Sequence, residues 1–223
     1  AKGVGMIEPN MATHISLLFT DAAIDADELD ATFRRVVDRT FNCVSIDTDT
    51  STSDSSIVMA SGAAGPVDAA QFEAALYAVA IDLTKQIARD GEGANSLIEV
   101  HVDGAANPAQ AKRVAKAIVN SPLVKTAIHG GDPNWGRVAM AIGKCSEHTD
   151  DQSIDQTAVT IRFGTDEVYP RLLDDAALAA LSGYMSGTDV LIHVSLGLGE
   201  SESTVWGCDL SDTYVRFNAD YTT

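Results

Sequence analysis

A threonine at the mouth of an apolar strand is a position from which an oxygen nucleophile can act. Lys2-Gly3-Val4-Gly5-Met6-Ile7-Glu8-Pro9-Asn10-Met11-Ala12-Thr13 is a glycine-rich, loop-like run ending in a small residue and a threonine; Ile15-Ser16-Leu17-Leu18-Phe19-Thr20 follows without a polar linker. Attack of the Thr13 hydroxyl on the Ala12 carbonyl would move the acyl group from nitrogen to oxygen. Hydrolysis of that ester would leave Thr13 with a free α-amine. An α-amine beside a hydroxyl is one way to activate a weak nucleophile, and its pKa of about 7.7–8.0 suits a general base near neutral pH. Position alone also fits a plainer role, because β-branched residues belong at strand starts.

Other polar residues invite paired readings. Lys2 is the lone cation of the first thirteen residues. It is either a point charge for a substrate carboxylate or a solvated loop lysine. Glu92 lies between two glycines in Asp90-Gly91-Glu92-Gly93. Glycines let a backbone approach a ligand closely, and a carboxylate takes up an ammonium group; Gly91 equally suits the end of a helix. Asn218 and Thr223 close the chain. An amide and a hydroxyl both bond carboxylates, and both also occur in plain chain ends. Asp132-Pro133-Asn134-Trp135-Gly136-Arg137 is a turn-rich loop, structural or close to a site. Gly197-Leu198-Gly199 lacks the spacing and following helix of a dinucleotide loop, so no such cofactor is expected.

Composition bounds the reading. With 223 residues, 45% of them apolar, the chain is one large domain or two small ones with a substantial core. Fifteen basic against 32 acidic side chains give a net charge of −17. Nucleic-acid binding needs a basic stripe, and Lys112, Arg113 and Lys116 make only a short cluster, so no nucleic-acid partner is expected. No apolar run approaches the ~18 residues of a membrane span and no signal peptide is visible; the expectation is a cytoplasmic protein without a membrane partner. Cys43, Cys145 and Cys208 are dispersed and read as buried reduced thiols. His14, His101, His129, His148 and His193 are scattered without ligand spacing, so no metal site is expected. The chain opens on Ala1, as a processed or partial product would.

Alternation predicts a half-buried strand over 13–20. Asp25 and Glu28 read as a capping-box-like start to a helix carrying Leu29, Phe33, Val36, Val37 and Phe41. The polar run 47–56 reads as a loop. A second helix is predicted over 66–89, with Pro66 near its start. A strand at 97–102 precedes a helix from Pro108 to about Asn120, ended by Ser121-Pro122. Residues 135–142 fit helix or strand, and 146–156 is the best internal boundary. Strands at 157–163 and 189–196 flank a helix from Asp174 to Gly183, and 203–208 with 213–217 reads as a hairpin turning near Ser211-Asp212. The order of elements predicts an α/β to α+β layered sandwich.

Residues 2–13, K-G-x-G-M-I-x-P-x-M-A-T, closely resemble the processing-site signature of ornithine acetyltransferases, the bifunctional glutamate N-acetyltransferases. D-G-E-G at 90–93, G-D-P-N-W-G-R at 131–137, W-G-C-D-L at 206–210 and N-A-D-Y at 218–221 follow in that family's order, so the resemblance runs from residue 2 to 223. It implies autoproteolysis between Ala12 and Thr13. Residues 1–12 would then end an α portion, and 13–223 would be a β chain forming one catalytic domain. It further implies an αββα-like sandwich related to N-terminal nucleophile hydrolases and an α2β2 assembly with the α chain of the same precursor. The implied reaction moves acetyl from N2-acetylornithine to glutamate through a Thr13 acetyl-enzyme, some members also using acetyl-CoA, with no bound cofactor or metal. Lys2, Thr13, Glu92, Asn218 and Thr223 map onto the family's substrate contacts; its oxyanion donors, a Thr-Gly pair, belong to the α chain. Asn95 and Thr222 stand where the family commonly has Thr and Arg. Two other readings fit this architecture: a self-cleaving aminopeptidase or amidase, and an uncleaved amino-acid-binding paralogue.

Overall fold

The computed structural model describes residues 1–8, 14–50 and 54–220. In chain order the elements are β1 (Ile15–Ala23), α1 (Ala26–Arg39), β2 (Val44–Ser45), β3 (Ser55–Pro66), α2 (Ala69–Arg89), β4 (Leu97–Ala105), α3 (Pro108–Val119) and α4 (Pro122–His129). There follow α5 (Trp135–Lys144), β5 (Thr160–Phe163), β6 (Asp166–Tyr169), α6 (Asp175–Met185), β7 (Asp189–Ser195), β8 (Ser201–Cys208) and α7 (Asp212–Asp220).

Local chemistry sets most helix starts. Asp25, Asp68, Asn107, Ser121 and Asp174 each accept a hydrogen bond from an amide of the first turn of α1, α2, α3, α4 and α6. Such caps are worth about 1 kcal/mol apiece. The capping box expected at α1 is only half present: Asp25 takes the Asp27 amide, but Glu28 turns along the helix to Thr32 and Arg35. The second helix starts at Ala69 rather than 66, because Asp68 is its cap and Pro66 is the last residue of β3. Pro122 does end α3, and in the same place opens α4, its missing N–H falling where a helix has no use for it. Residues 135–142 are helical, within α5.

The expected C-terminal hairpin is not formed. Residues 213–217 lie in α7, started by Ser211, whose hydroxyl accepts the Tyr214 amide at 3.2 Å. β8 pairs instead with β4, antiparallel, and with β2, parallel. The alternation of Thr213, Val215 and Phe217 imitated a strand; in the helix Val215 and Phe217 are exposed.

Two sheets result. A mixed six-stranded sheet has the order β2-β8-β4-β7-β5-β6, and β1 and β3 form a separate parallel pair. One face of the large sheet carries Ile98, Val100 and Val102 of β4, Ile192 and Val194 of β7 and Val205 of β8, all fully buried. Gly207 lies on that face against Val119 of α3. The opposite face buries Leu97, Trp206 and Cys208 at one end and is polar further along, with His101, Asp103, Thr204 and His193; Lys85 of α2 pairs there with Glu99 at 2.8 Å, while Glu99 also takes the Trp206 indole N–H. The polar stretch 146–156 winds through 3-10 turns, and its buried Asp151 holds Arg113 of α3 with two bonds of 2.8 and 3.0 Å. The β1–β3 pair buries Ser16, Leu18 and Ala22 and leaves Ile15, Leu17, Phe19, Ile57 and Met59 exposed on its other face. The architecture is a layered mixed α/β fold. The three cysteines are buried and unbridged.

A Cβ at Gly207 would stand 2.5 Å from the Ser45 carbonyl oxygen and 2.6 Å from Val119 Cγ2, so β2 and α3 approach β8 only because no side chain intervenes. Gly207→Ala is expected to destabilise the protein by about 1–3 kcal/mol. Gly143→Ala, inside α5 with open space around it, is expected to stabilise by about 0.5–1 kcal/mol. Urea midpoints at unchanged slope measure both; equal midpoints for the two variants would contradict the packing argument.

Candidate functional site

The glycine-rich N-terminal run is fixed by atoms distant in sequence. Lys2 and Ile15 exchange both backbone hydrogen bonds, at 2.8 and 3.0 Å, which sets Lys2 beside the start of β1. The Asp47 carboxylate accepts the amides of Met6 at 2.7 Å and Ile7 at 2.9 Å. The Ile7 carbonyl accepts the Ile46 amide at 2.6 Å, and its side chain is fully buried. Glu8 is held at its carboxylate by Asn120 at 2.6 Å, Ser45 at 3.1 Å and Lys116 at 3.3 Å. Positive φ at Met6 marks the sharp bend of the run.

Glu92 meets this run. Its amide donates to the Val4 carbonyl at 2.8 Å, and a Cβ on Gly5 would lie 3.0 Å from its Oε2. The same oxygen accepts the side-chain amide of Asn218, in α7, at 2.9 Å. Three segments from opposite ends and the middle of the chain thus converge on one carboxylate. Gly93 makes this possible twice over. Its φ of +69° favours glycine, and any Cβ there would meet the Tyr214 amide nitrogen at 2.5 Å, in the first turn of α7. Ser211 completes the joint by donating to the Gly93 carbonyl at 2.6 Å. Tyr214 has its phenol pushed upward by burial and by the charges of Asp47 and Glu92. The Lys2 side chain lines an adjacent cleft of about 430 Å³ with Gln86, Arg89 and Asp90. Glu92 and Asn218 are thus bonded to each other, and Lys2 precedes by two residues the Val4 whose carbonyl takes the Glu92 amide; Ala12, Thr13 and Thr223 lie outside the described residues.

The W-G-C-D-L motif supports this loop from beneath. Asp209, with a fully buried carboxylate, accepts the amides of Asn95 at 2.7 Å and Ser96 at 2.9 Å and pairs with His129 Nδ1 at 2.8 Å. Lys125, its ammonium disfavoured by burial, donates to the Cys208 carbonyl. The roles of Asp47, Glu8 and Asp209 escaped the sequence reading because their partners lie 37 to 114 residues away. The 131–137 loop forms joints between helices: Ser182 donates to the Gly131 carbonyl, Arg137 to the Leu123 carbonyl, and Trp135 packs on Tyr169 with centroids 4.9 Å apart.

A family model described as the ArgJ family matches residues 1–223. The chain belongs to the ArgJ family. It is 59% identical over 228 residues to the glutamate N-acetyltransferase Oat2 of Streptomyces clavuligerus, and 60% identical over 223 residues to the arginine biosynthesis bifunctional protein ArgJ 2 of a Nostoc species. All of this chain is matched in both cases, but it spans only 57% of the length of either relative. The crystal structure of the arginine biosynthesis bifunctional protein ArgJ from Bacillus halodurans superposes with a TM-score of 0.86 at 41% identity, covering 94% of this chain and 100% of that one.

This ArgJ-family chain carries one more polar feature at the same strand, which sequence spacing did not flag. His14, bonded to Thr13, is buried against Phe41 with ring centroids 4.4 Å apart, and its amide donates to Asp54 at 2.5 Å. Among the described residues, His14 Nε2 and Asp54 Oδ2 are buried without hydrogen-bond partners, and both residues line a cavity of about 340 Å³ with Phe33, Asn42 and Ser56. Burial lowers the His14 pKa from 6.5 to about 4. Above pH ~6.5 the imidazole is neutral in both folded and unfolded chains and contributes no pH dependence. As the pH falls from 6.5 towards 4 the unfolded chain takes up the proton first, so stability is lost with falling pH, by roughly 3 kcal/mol at most. His14→Leu is expected to flatten unfolding free energy against pH in that window by about one proton; an unchanged slope in urea titrations at pH 7, 5.5 and 4.5 would refute the assignment.

Proposed function

We propose that this chain is the catalytic part of a self-processing acyltransferase that moves acetyl from N2-acetylornithine to glutamate. The observation that carries the reading is the convergence on Glu92: its amide on Val4 and its carboxylate on Asn218, beside a run that leads to Thr13. In this reading the bond between Ala12 and Thr13 is cut by the Thr13 hydroxyl, and the freed α-amine, with a pKa of about 7.7–8.0, serves as its base. The hydroxyl then takes the acetyl group from N2-acetylornithine as an ester, releasing ornithine. The amine of glutamate attacks that ester carbonyl, expels the Thr13 oxygen and leaves as N-acetylglutamate. Glu92, with one oxygen engaged by Asn218, presents negative charge to a substrate ammonium. Lys2 balances it as a cation for a substrate carboxylate, with Asn218 and Thr223 as neutral partners. The covalent ester carries the group, so the mechanism calls on no bound cofactor. Acetyl-CoA is an alternative donor for the same ester.

The partner proposed is the portion that longer relatives carry in addition, acting as an α chain and supplying the oxyanion donors, in an α2β2 assembly. The open face of β1 and β3 supports this. A two-stranded sheet is marginal alone, parallel strands are ordinarily covered on both faces, and here Phe19, Leu17, Ile57 and Met59 stand bare. Among the described residues no helix is long and apolar enough to cross a membrane, and a cytoplasmic location is proposed with the reaction.

Expressed with its natural upstream half, the protein is expected to yield a product beginning at Thr13 by intact mass, and Thr13→Ala an unbroken, inactive chain. Glutamate is expected to accelerate ornithine release from N2-acetylornithine; equal release without it would assign an amidase. An unbroken parent chain without turnover would assign the amino-acid-binding reading. Glu92→Gln is expected to leave processing intact and to lower kcat/KM roughly 10–100-fold, mostly through KM, as loss of a charge-assisted hydrogen bond does.

A further inference from the structure

The polar face of the six-stranded sheet brings together three metal-ligating side chains that lie far apart in sequence. β4 and β7 run parallel with His101 and His193 as Cα partners, so their imidazoles stand side by side, ring centroids 5.1 Å apart. Asp103, two residues along β4, points to the same face as His101 because side chains alternate along a strand. Its Oδ2 lies 2.7 Å from His193 Nε2. On the other side β8 presents Thr204 opposite His101, with Thr204 Oγ1 2.9 Å from His101 Nδ1. That contact fixes the ring and directs Nε2 outward, where Glu202 Oε2 lies at 3.9 Å. One donor atom from each of His101, Asp103 and His193 lies within 4.8 Å of the other two, the one such group among the described residues.

We propose that His101, Asp103 and His193, with Glu202 as a fourth donor, bind one divalent transition-metal ion of the zinc type. Two imidazoles and a carboxylate are a donor set such ions accept. Bonds of about 2.0–2.1 Å in a tetrahedron put donor atoms about 3.3 Å apart. Reaching that arrangement asks the His193–Asp103 pair to open by about 0.6 Å and His101 to close; all three side chains are half-buried, and the Ser195 hydroxyl also bonds Asp103. The Thr204 contact with the far nitrogen of His101 is the kind of outer partner that orients a ligating histidine. Arg162 of β5, the Cα partner of His193, is the nearby cation, and it pairs with Glu167 at 3.4 Å. Its charge opposes the ion and sets a moderate affinity. A bound ion would tie β4, β7 and β8 together by side chains as well as backbone, stabilising the folded state by mass action. The sequence reading expected no metal because the two histidines are 92 positions apart and meet only through strand register.

The test uses the untagged protein produced from its full reading frame and freed of metal by a chelator. Titration with Co²⁺, followed by its visible absorption, and with Zn²⁺ by calorimetry, is expected to saturate at one ion per chain and to raise Tm. His101→Ala and His193→Ala are each expected to weaken binding about tenfold or more, and Glu202→Gln less, with circular dichroism unchanged. Absence of saturable binding at one ion per chain would overturn the proposal. So would a Co²⁺ spectrum and affinity that persist in the His101→Ala/His193→Ala double variant, since the ion would then sit elsewhere, for example on a cysteine.

Discussion

The buried Asp209 carboxylate is the constraint on which the candidate site depends. A carboxylate removed from water is costly unless its lone pairs are filled, and here two backbone amides and an imidazole fill them. Satisfying that charge joins the end of β8 to the start of β4 and to the end of α4. It therefore fixes the far end of the Asp90–Gly93 turn, whose near end is fixed by α2. Glu92 is left with little freedom of its own. Its position follows from two anchors, and Gly93 allows α7 to close down over it. Asp47 plays the corresponding part for the N-terminal run by accepting two successive amides. The negative charge of the chain is thus used within loops as well as on its surface: carboxylates stand in for secondary structure as acceptors for loop amides.

How much of this was legible in the sequence depended on whether the determining contact was local. α1 and α3 were legible because a capping side chain and an apolar stripe lie within one short window; α6 carries the cap, Asp174, but buries only Leu181 and Met185. β3 was not, since Ile57 and Met59 face outward and its second half, Ser-Gly-Ala-Ala-Gly-Pro, carries no large apolar side chain. α4 was hidden because Ser121-Pro122 serves both as the stop of one helix and the start of the next. α7 was misread because alternating Thr213, Val215 and Phe217 carry no stripe; its position rests on Ser211 and on Gly93, not on burial of its own face.

The site followed the same rule. Glu92 could be singled out because its flanking glycines announce a close approach. Its pairing with Asn218, 126 residues on, could not be found without the fold. The W-G-C-D-L run was recognisable as a motif, yet its residues do mechanical work: the indole N–H on Glu99, the glycine under Ser45, the carbonyl on Lys125 and the carboxylate on the Asn95–Ser96 turn. The motif residues of this chain thus divide into those of the proposed site, the Lys2–Thr13 run and Glu92, and those at 206–210 that hold the Asn95–Ser96 turn in place.

The anchoring of residues 1–8 bears on what a cut before Thr13 would do. If that bond is broken, this segment and the rest of the chain are no longer continuous, and only noncovalent contacts can keep Lys2 near the new terminus. Those contacts are numerous. Both hydrogen bonds between Lys2 and Ile15, the Glu92–Val4 bond, two amides on Asp47, the Ile46–Ile7 bond and three donors on Glu8 all bridge the would-be junction. Ile7 adds a fully buried side chain, worth about 1.5–3 kcal/mol by itself. The segment is thus built as a plug seated in the remainder of the chain, and processing would free an amine without releasing the lysine that accompanies it.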